Sequence, residues 1–150
     1  MTAIPIGVAG LGRAFALMAP TLAADSRVRL VAAADSRPEA LEQFESDFGG
    51  RGYATVEELC ADPAVQVVYV ATPHQFHAAH AVLAARAGKH ILVEKPMALT
   101  LEECRAMTAA ARKHRVHLIV GHSHSFDAPI ALTRKLIASG RYGRLRMIGR

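Results

Sequence analysis

The sequence predicts a doubly wound α/β protein built on a parallel sheet. Short apolar runs alternate with longer amphipathic runs along the 150 residues, and no repeat or low-complexity linker interrupts them. This alternation is typical of parallel strands joined by crossover helices. We expect six strands in the order 3-2-1-4-5-6. The predicted strands are Ile4–Ala9, Val28–Ala34, Gly52–Ala54, Gln66–Ala71, His90–Val93 and His117–Gly121.

The composition argues against nucleic acid and membranes as partners. The formal charge of +5 comes from scattered Lys and Arg residues, and there is no Trp for base stacking. The apolar opening stretch, residues 4–24, contains several glycines and Pro20 and therefore fits a protein core better than a membrane segment. Cys60 and Cys104 are too few and too far apart for a disulfide framework, so we expect a cytoplasmic protein.

A glycine-rich turn follows the first strand. The segment from Gly7 to Phe15 places Gly10 and Gly12 between a strand and a helix. This is the order in which a Rossmann domain binds a dinucleotide, because free amides at the helix N-terminus stabilise a pyrophosphate. Phe15 replaces the third glycine of the usual fingerprint, and a plain strand-to-helix turn is the alternative. The predicted cofactor-binding residues here are Gly10, Leu11, Gly12, Arg13 and Ala14.

An acidic residue ends the second strand. Asp35 lies 25 residues after Gly10, where a carboxylate typically accepts hydrogen bonds from the adenosine ribose. Asp35 repels a 2′-phosphate, whereas Ser36 and Arg37 can receive one, so the sequence favours NAD and leaves NADP open. The alternative is that Asp35 or Ser36 caps the helix that begins near Pro38.

Three further segments indicate a particular family. They are Tyr69-Val-Ala-Thr-Pro-His-Gln-Phe-His77, Gly88-Lys-His-Ile-Leu-Val-Glu-Lys-Pro96 and Ile137-Ala-Ser-Gly-Arg-Tyr-Gly143. Together with the glycine turn they resemble the Gfo/Idh/MocA oxidoreductases, over essentially the whole chain. Within that family, the segment from Gly121 to Asp127 looks most like enzymes that oxidise a cis-dihydrodiol of phthalate. Family members often carry Arg where this chain has Ser125, and His122 or His124 is a candidate to substitute for it.

The resemblance implies a function and a set of site residues. It implies an NAD(P)-dependent dehydrogenase that transfers a hydride between nicotinamide and a hydroxyl-bearing small molecule, such as a polyol, a sugar or a dihydrodiol. The cofactor contacts that it adds to the glycine turn and to Asp35, Ser36 and Arg37 are Thr72, Pro73, His74, His77, Glu94 and Lys95. A non-catalytic NAD(P)-binding sensor is the alternative, because fold alone does not establish chemistry.

Lys95 is the predicted catalytic residue. It follows the fifth strand, at the sheet edge where ligands of open α/β sheets bind, and Pro96 restricts its backbone to extended conformations. Oxidation of an alcohol releases a proton as well as a hydride, and a lysine in this position can accept or relay that proton. The ordinary alternative is a solvated surface lysine. The resemblance also implies a cis Lys95–Pro96 bond, which X-Pro bonds permit at low cost.

The histidines invite a metal-site hypothesis, which we do not favour. His74, His77 and His80 have helical spacing, and His122 and His124 flank a strand end. Apart from Asp127, no cysteine or carboxylate lies close to them in sequence, so we predict no metal.

The end of the chain resembles the start of a second domain. We expect a dinucleotide-binding domain over residues 1–140, the N-terminal half of a two-domain enzyme, and a substrate and oligomerisation domain beginning at 141–150. The alternation of basic and apolar residues predicts a seventh strand from Arg144 to Gly149. We expect homo-oligomers to form through the downstream domain, and we expect these 150 residues alone to bind the cofactor without turning over substrate.

Overall fold

The fold is a six-stranded parallel sheet covered by helices on both faces. The computed structural model describes residues 2–147. The strand order is β3-β2-β1-β4-β5-β6, and every pairing is parallel, which confirms the predicted topology. The strands are β1 (Ile4–Ala9), β2 (Val28–Ala34), β3 (Arg51–Tyr53), β4 (Val67–Val70), β5 (His90–Val93) and β6 (Leu118–Val120).

Helices connect the strands, and two of them begin at the capping-box pattern Thr-x-x-Glu, which can be read from the sequence. Thr55 accepts a hydrogen bond from the Glu58 amide and Thr100 accepts one from the Glu103 amide, and each glutamate reaches back to the cap amide. These reciprocal bonds satisfy amides that the first helical turn leaves free. The helices are α1 (Arg13–Ala24), α2 (Pro38–Phe48), α3 (Val56–Ala61), α4 (His77–Arg86), α5 (Leu101–His114) and α6 (Ala128–Ala138).

The core consists of one apolar layer on each face of the sheet. On one face, Phe15 of α1 packs with Phe44 and Phe48 of α2, with ring centroids 5.1–6.1 Å apart. On the other face, α3, α4 and α5 bury small and aliphatic side chains against the strands. A parallel sheet buried on both faces explains the continuous apolar character of the strands.

The prediction of a seventh strand is wrong for the residues that the structure describes. Residues 144–147 form no strand, and the rest of the predicted segment, residues 148 and 149, lies outside the described residues. A β-strand exists only through hydrogen bonds to a partner strand, and residues 144–147 pair with none of the six. Alternation of side chains therefore predicted a strand that has no partner within the described chain.

The buried face of α5 agrees with the face that the sequence suggests, except at the first residue of the helix. The spacing of Leu101, Cys104, Thr108 and Ala111 predicts that these residues pack together on the sheet. Ala111 is buried, but Leu101 is 75% exposed and Met107 is the largest buried side chain of the helix. Leu101 occupies the first turn, next to the capping Thr100, whereas Cys104 and Thr108 further along the helix are half-buried.

Helix α6 contributes little to this core. None of its described residues is buried, and Leu132 and Ile137 are about half exposed. With Phe126, Tyr142, Leu145 and Met147 it forms an apolar surface at the C-terminal end of the described chain.

The two positions on α5 provide a stability test. Met107→Ala should lower the free energy of unfolding by about 2–5 kcal/mol, because it leaves a cavity in the core. Leu101→Ala should change it by less than about 0.5 kcal/mol, because that side chain is already in water. Urea denaturation of both variants measures these changes. A larger loss of unfolding free energy in Leu101→Ala than in Met107→Ala would show that α5 packs through Leu101.

Candidate functional site

The turns after β1 and β4 meet at the carboxyl edge of the sheet. Gly10 adopts a φ of +93°, and a Cβ atom at this position would lie 2.9 Å from the Ala71 oxygen and the Thr72 nitrogen. Only glycine tolerates both this backbone conformation and this close approach. The glycine turn is therefore held directly against Thr72 and Pro73.

The N-terminus of α1 is open to an anionic ligand. Its cap residue, Gly12, offers no side-chain hydrogen bond, and the first turn contains no acidic residue. A Cβ atom at Gly12 would meet nothing within 4 Å, so there is space in front of the helix. Free amides, a helix dipole and open space together fit a pyrophosphate.

Asp35 follows β2, and its carboxylate is already bonded to neighbouring groups. The Leu11 amide donates to Oδ2 at 2.8 Å, and Arg37 donates to both oxygens at 3.0–3.1 Å and to the Leu11 carbonyl at 3.1 Å. Burial alone would raise the pKa of Asp35, but the hydrogen bonds from Arg37 and Leu11 outweigh it, and the pKa is lowered. Neither Asp35 nor Ser36 caps α2, whose cap residue is Arg37.

Two adjoining clefts extend from this point along the sheet edge. One, of about 370 Å³, is lined by predicted site residues and by Ala71, and the second, of about 450 Å³, shares Gly10, Asp35 and Thr72 with it. The first is lined by Gly10, Gly12, Arg13, Asp35, Ser36, Arg37, Ala71, Thr72 and Pro73. Leu11 and Ala14 lie within the same turn. These clefts bring the glycine turn, the acidic residue and the Thr-Pro turn together.

The second cleft contains residues that the sequence analysis did not assign to the site. Phe76 stacks against His80, with ring centroids 5.7 Å apart, and both line this cleft. Thr72 Oγ1 lies 3.0 Å from His80 Nδ1. Burial lowers the pKa of His80, which favours a neutral ring. The signal in the sequence was the position of the aromatic Phe76 between the predicted site residues His74 and His77, and the structure shows that its ring is half exposed.

Glu94 and Lys95 follow β5, next to β4 in the sheet. The Tyr69 hydroxyl donates to Glu94 Oε1 at 2.7 Å, and the Lys95 amide donates to Glu94 Oε2 at 3.2 Å. Burial and the neighbouring carboxylate raise the pKa of Tyr69, which keeps it a donor. Lys95 is exposed, and its peptide bond to Pro96 is cis, as predicted. Tyr69 is a contributor that the sequence analysis missed, although a buried tyrosine hydroxyl normally requires a partner.

His77 does not line the cleft as predicted. Its side chain is fully buried, and its two ring nitrogens lie 2.8 Å from the Thr72 oxygen and 2.9 Å from the Pro96 oxygen. Because both nitrogens face protein carbonyls, the side chain has no free polar atom to offer a cofactor. The expectation of a direct contact is therefore wrong for this side chain.

The remaining histidines are spread along the surface. His74 is exposed and packs edge-on against the buried His77, and His124 lies 2.9 Å from the Asp127 carboxylate. His122 is exposed and precedes a short 3-10 turn. Within residues 2–147, no three potential ligands come close enough to hold a metal ion. No helix in this part of the chain combines the length and the apolar character that a membrane crossing needs.

Comparison with known proteins identifies relatives of the whole chain. Residues 4–122 match the family model described as the oxidoreductase family, NAD-binding Rossmann fold. The chain is 58% identical over 144 residues to the 1-carboxy-3-chloro-3,4-dihydroxycyclohexa-1,5-diene dehydrogenase of Comamonas testosteroni, a match that covers 95% of this chain and 36% of that protein. It is 32% identical to the inositol 2-dehydrogenase of Rhizobium meliloti, over 97% of this chain and 44% of the relative.

A solved structure extends the likeness to three dimensions. The WlbA dehydrogenase from Bordetella pertussis, in complex with NADH and UDP-GlcNAcA, superposes with a TM-score of 0.89 at 32% identity, over 95% of this chain and 41% of that one. The chain thus spans less than half the length of these relatives. Because residues 4–122 match the family model, the chain belongs to the Gfo/Idh/MocA oxidoreductase family as its NAD-binding Rossmann domain.

Proposed function

We propose that the chain is the cofactor-binding half of an NAD-dependent dehydrogenase that oxidises a carboxylated cyclohexadiene diol. The observation that carries this proposal is the convergence of the glycine turn, the Thr72-Pro73 turn and the Glu94-Lys95 turn at the carboxyl edge of adjacent strands. The substrate class rests on the 58% identity to a dehydrogenase whose name specifies such a diol.

In this proposal, the chain's residues bind and orient the cofactor along the clefts. The open N-terminus of α1 receives the pyrophosphate, and the Asp35 carboxylate meets the adenosine ribose. Bound NAD supplies the acceptor for the hydride that leaves the alcohol carbon. Thr72 and Pro73 border the path from the first cleft toward Glu94, and His74 lies at the start of the next turn.

Lys95 has the role of accepting or relaying the hydroxyl proton. Its side chain is exposed at the sheet edge, so a substrate lying above β5 can reach it. Glu94 is held by Tyr69 and by the Lys95 amide, which limits the motion of the turn that carries the lysine. Proton removal by a positioned side chain typically accelerates such a step by about 10²–10⁴-fold.

Lys95→Ala should abolish diol-dependent NADH formation by the protein encoded by the complete reading frame, with a loss of about 10²-fold or more in kcat and little change in NADH affinity. The turnover assay should include two substrates, a carboxylated cyclohexadiene diol and an inositol. Lys113→Ala, on the exposed face of α5, is the matched control. Unchanged turnover in Lys95→Ala would remove the catalytic role and favour a sensor.

We further propose a preference for NAD over NADP that Arg37 moderates. Asp35 disfavours a 2′-phosphate, but its carboxylate is paired with Arg37, and the Arg37 side chain is about half exposed. The guanidinium can therefore neutralise Asp35 or turn toward a phosphate. Discrimination between the two cofactors is accordingly smaller than an unpaired aspartate would produce.

Arg37→Ala should widen the gap between the two cofactors. NADPH affinity should fall by about tenfold, because the variant loses a charge-assisted partner and leaves Asp35 uncompensated. NADH affinity should fall by much less, and calorimetry with each cofactor measures both. A larger loss for NADH would mean that Arg37 acts by orienting Asp35 toward the ribose.

We also propose that a second domain begins at residues 141–150 and completes the active site. The apolar surface of α6 and residues 142–147 supports this, because exposed patches of this kind usually mark an interface. The downstream domain would also carry the homo-oligomer contacts. The two cysteines, Cys60 and Cys104, are free, which supports a cytoplasmic location.

The 150-residue chain by itself should bind NADH and show no diol turnover. Lys95 is exposed, and it lines neither of the two clefts. Positioning and exclusion of water supply many orders of magnitude of rate, so their absence should leave no measurable activity. Fluorescence titration and a turnover assay on one preparation test this, and robust turnover would show that the site is complete within the chain.

A further inference from the structure

His77 is a buried polar group with no role in the function as proposed above. Its side chain has no exposed surface, and it begins helix α4, directly after the turn that borders the cleft. Burial of a polar ring in an apolar layer costs free energy unless its nitrogens are bonded. The contacts of this ring therefore determine which groups it holds in place.

The ring connects two turns of the site through their backbones. Nδ1 lies 2.9 Å from the Pro96 carbonyl oxygen and Nε2 lies 2.8 Å from the Thr72 carbonyl oxygen. A carbonyl oxygen can only accept a hydrogen bond, so the ring must donate at each contact. Because a neutral imidazole carries one N–H, both contacts are hydrogen bonds at the same time only when the ring is doubly protonated.

Each carbonyl belongs to a turn that faces a ligand. Pro96 directly follows Lys95, so the Nδ1 contact restrains the peptide next to the lysine. Thr72 lies against Gly10 and borders both clefts, so the Nε2 contact restrains the wall of the cofactor site. One buried ring therefore spans the lysine turn and the cofactor turn.

We propose that His77 is a positioning residue with two separable functions. Its Nδ1 contact sets the placement of Lys95 for turnover, and its Nε2 contact sets the placement of the Thr72-Pro73 turn for cofactor binding. The first function rests on the proposed catalytic role of Lys95, whereas the second requires only NAD binding by the domain.

Two substitutions separate the contacts. An asparagine amide at position 77 places its N–H group near the site of Nδ1, so His77→Asn retains a donor for Pro96 and loses the one for Thr72. A glutamine amide reaches the site of Nε2, so His77→Gln retains the donor for Thr72 and loses the one for Pro96. His77→Phe removes both ring nitrogens and retains an aromatic ring.

We expect opposite effects from the two amides in the protein encoded by the complete reading frame. His77→Asn should weaken NADH binding about tenfold and retain kcat within about threefold, since the bond that it loses is on the cofactor side. His77→Gln should lower kcat about tenfold or more and retain NADH affinity, because a small displacement of a catalytic group is costly. His77→Phe should impair both, and His117→Asn, at the amino-terminal edge of β6, is the control.

A second measurement requires no substrate. The carbonyl ¹³C shifts of Thr72 and Pro96, measured by NMR on the 150-residue chain, report whether each oxygen accepts a hydrogen bond. His77→Asn should move the Thr72 signal and His77→Gln the Pro96 signal. The proposed contacts would be overturned if the Thr72 and Pro96 signals moved together in each variant, or if neither signal moved in either variant.

The outcomes distinguish this inference from the proposed function. If Lys95→Ala retains turnover, the catalytic proposal fails, while the NADH affinities and carbonyl shifts still decide whether the ring holds both turns. If His77→Asn and His77→Gln lose kcat and NADH affinity in parallel, His77 has no separable positioning functions. If both amide variants unfold where His117→Asn is folded, the role is purely structural and the proposal is overturned.

Discussion

The backbone of Gly10 lies against that of Ala71 and Thr72 so closely that a single added methyl group would not fit. This contact joins the turns after β1 and β4, which are neighbours in the sheet but separated by about 60 residues of chain. The open helix N-terminus and the Thr72-Pro73 wall consequently face the same clefts. From Thr72, the contacts continue through the buried His77 to Pro96 and therefore to the turn that carries Lys95.

The charged groups around this chain of contacts are largely matched to partners. The Asp35 carboxylate accepts hydrogen bonds from Arg37 and the Leu11 amide, and the Glu94 carboxylate accepts them from the Tyr69 hydroxyl and the Lys95 amide. Within residues 2–147, no buried side-chain nitrogen or oxygen is without a hydrogen-bond partner. The bonds from the Leu11 amide and the Tyr69 hydroxyl are partly buried, where a lower dielectric strengthens them, so Asp35 and Glu94 are held in place before a ligand arrives.

The centre of the sheet and the helix that follows β6 differ in how well they are packed. The β1 to β4 region is covered on both faces by buried helices, whereas α6, beyond β6, contributes no buried residue and presents apolar side chains to solvent. The cofactor clefts lie in the first region, so the part of the chain that supports the cofactor site is also its best-packed part. The exposed helix lies beyond the last residues of the family match, which ends at position 122.

The strand order, the capping boxes and the location of the glycine turn were predictable because they depend on local patterns, namely hydrophobic period, cap chemistry and the order strand, turn, helix. The residues of the first cleft were predictable for the same reason, since each directly follows a strand. The seventh strand and the exposure of Leu101 were not, because a strand needs a partner and a side chain is buried only where another element packs against it.

The sequence by itself determined the doubly wound fold, the family and the turns that carry Gly10, Asp35, Thr72 and Lys95. Only the tertiary structure decided that Arg37 neutralises Asp35, that Tyr69 holds Glu94, and that His77 lies beneath the cleft. The physical reason is that a side chain's partners lie on other strands and helices, at distances along the chain that no local pattern records. A histidine beside a ligand and a histidine beneath one have the same spacing in the sequence, and burial alone separates them.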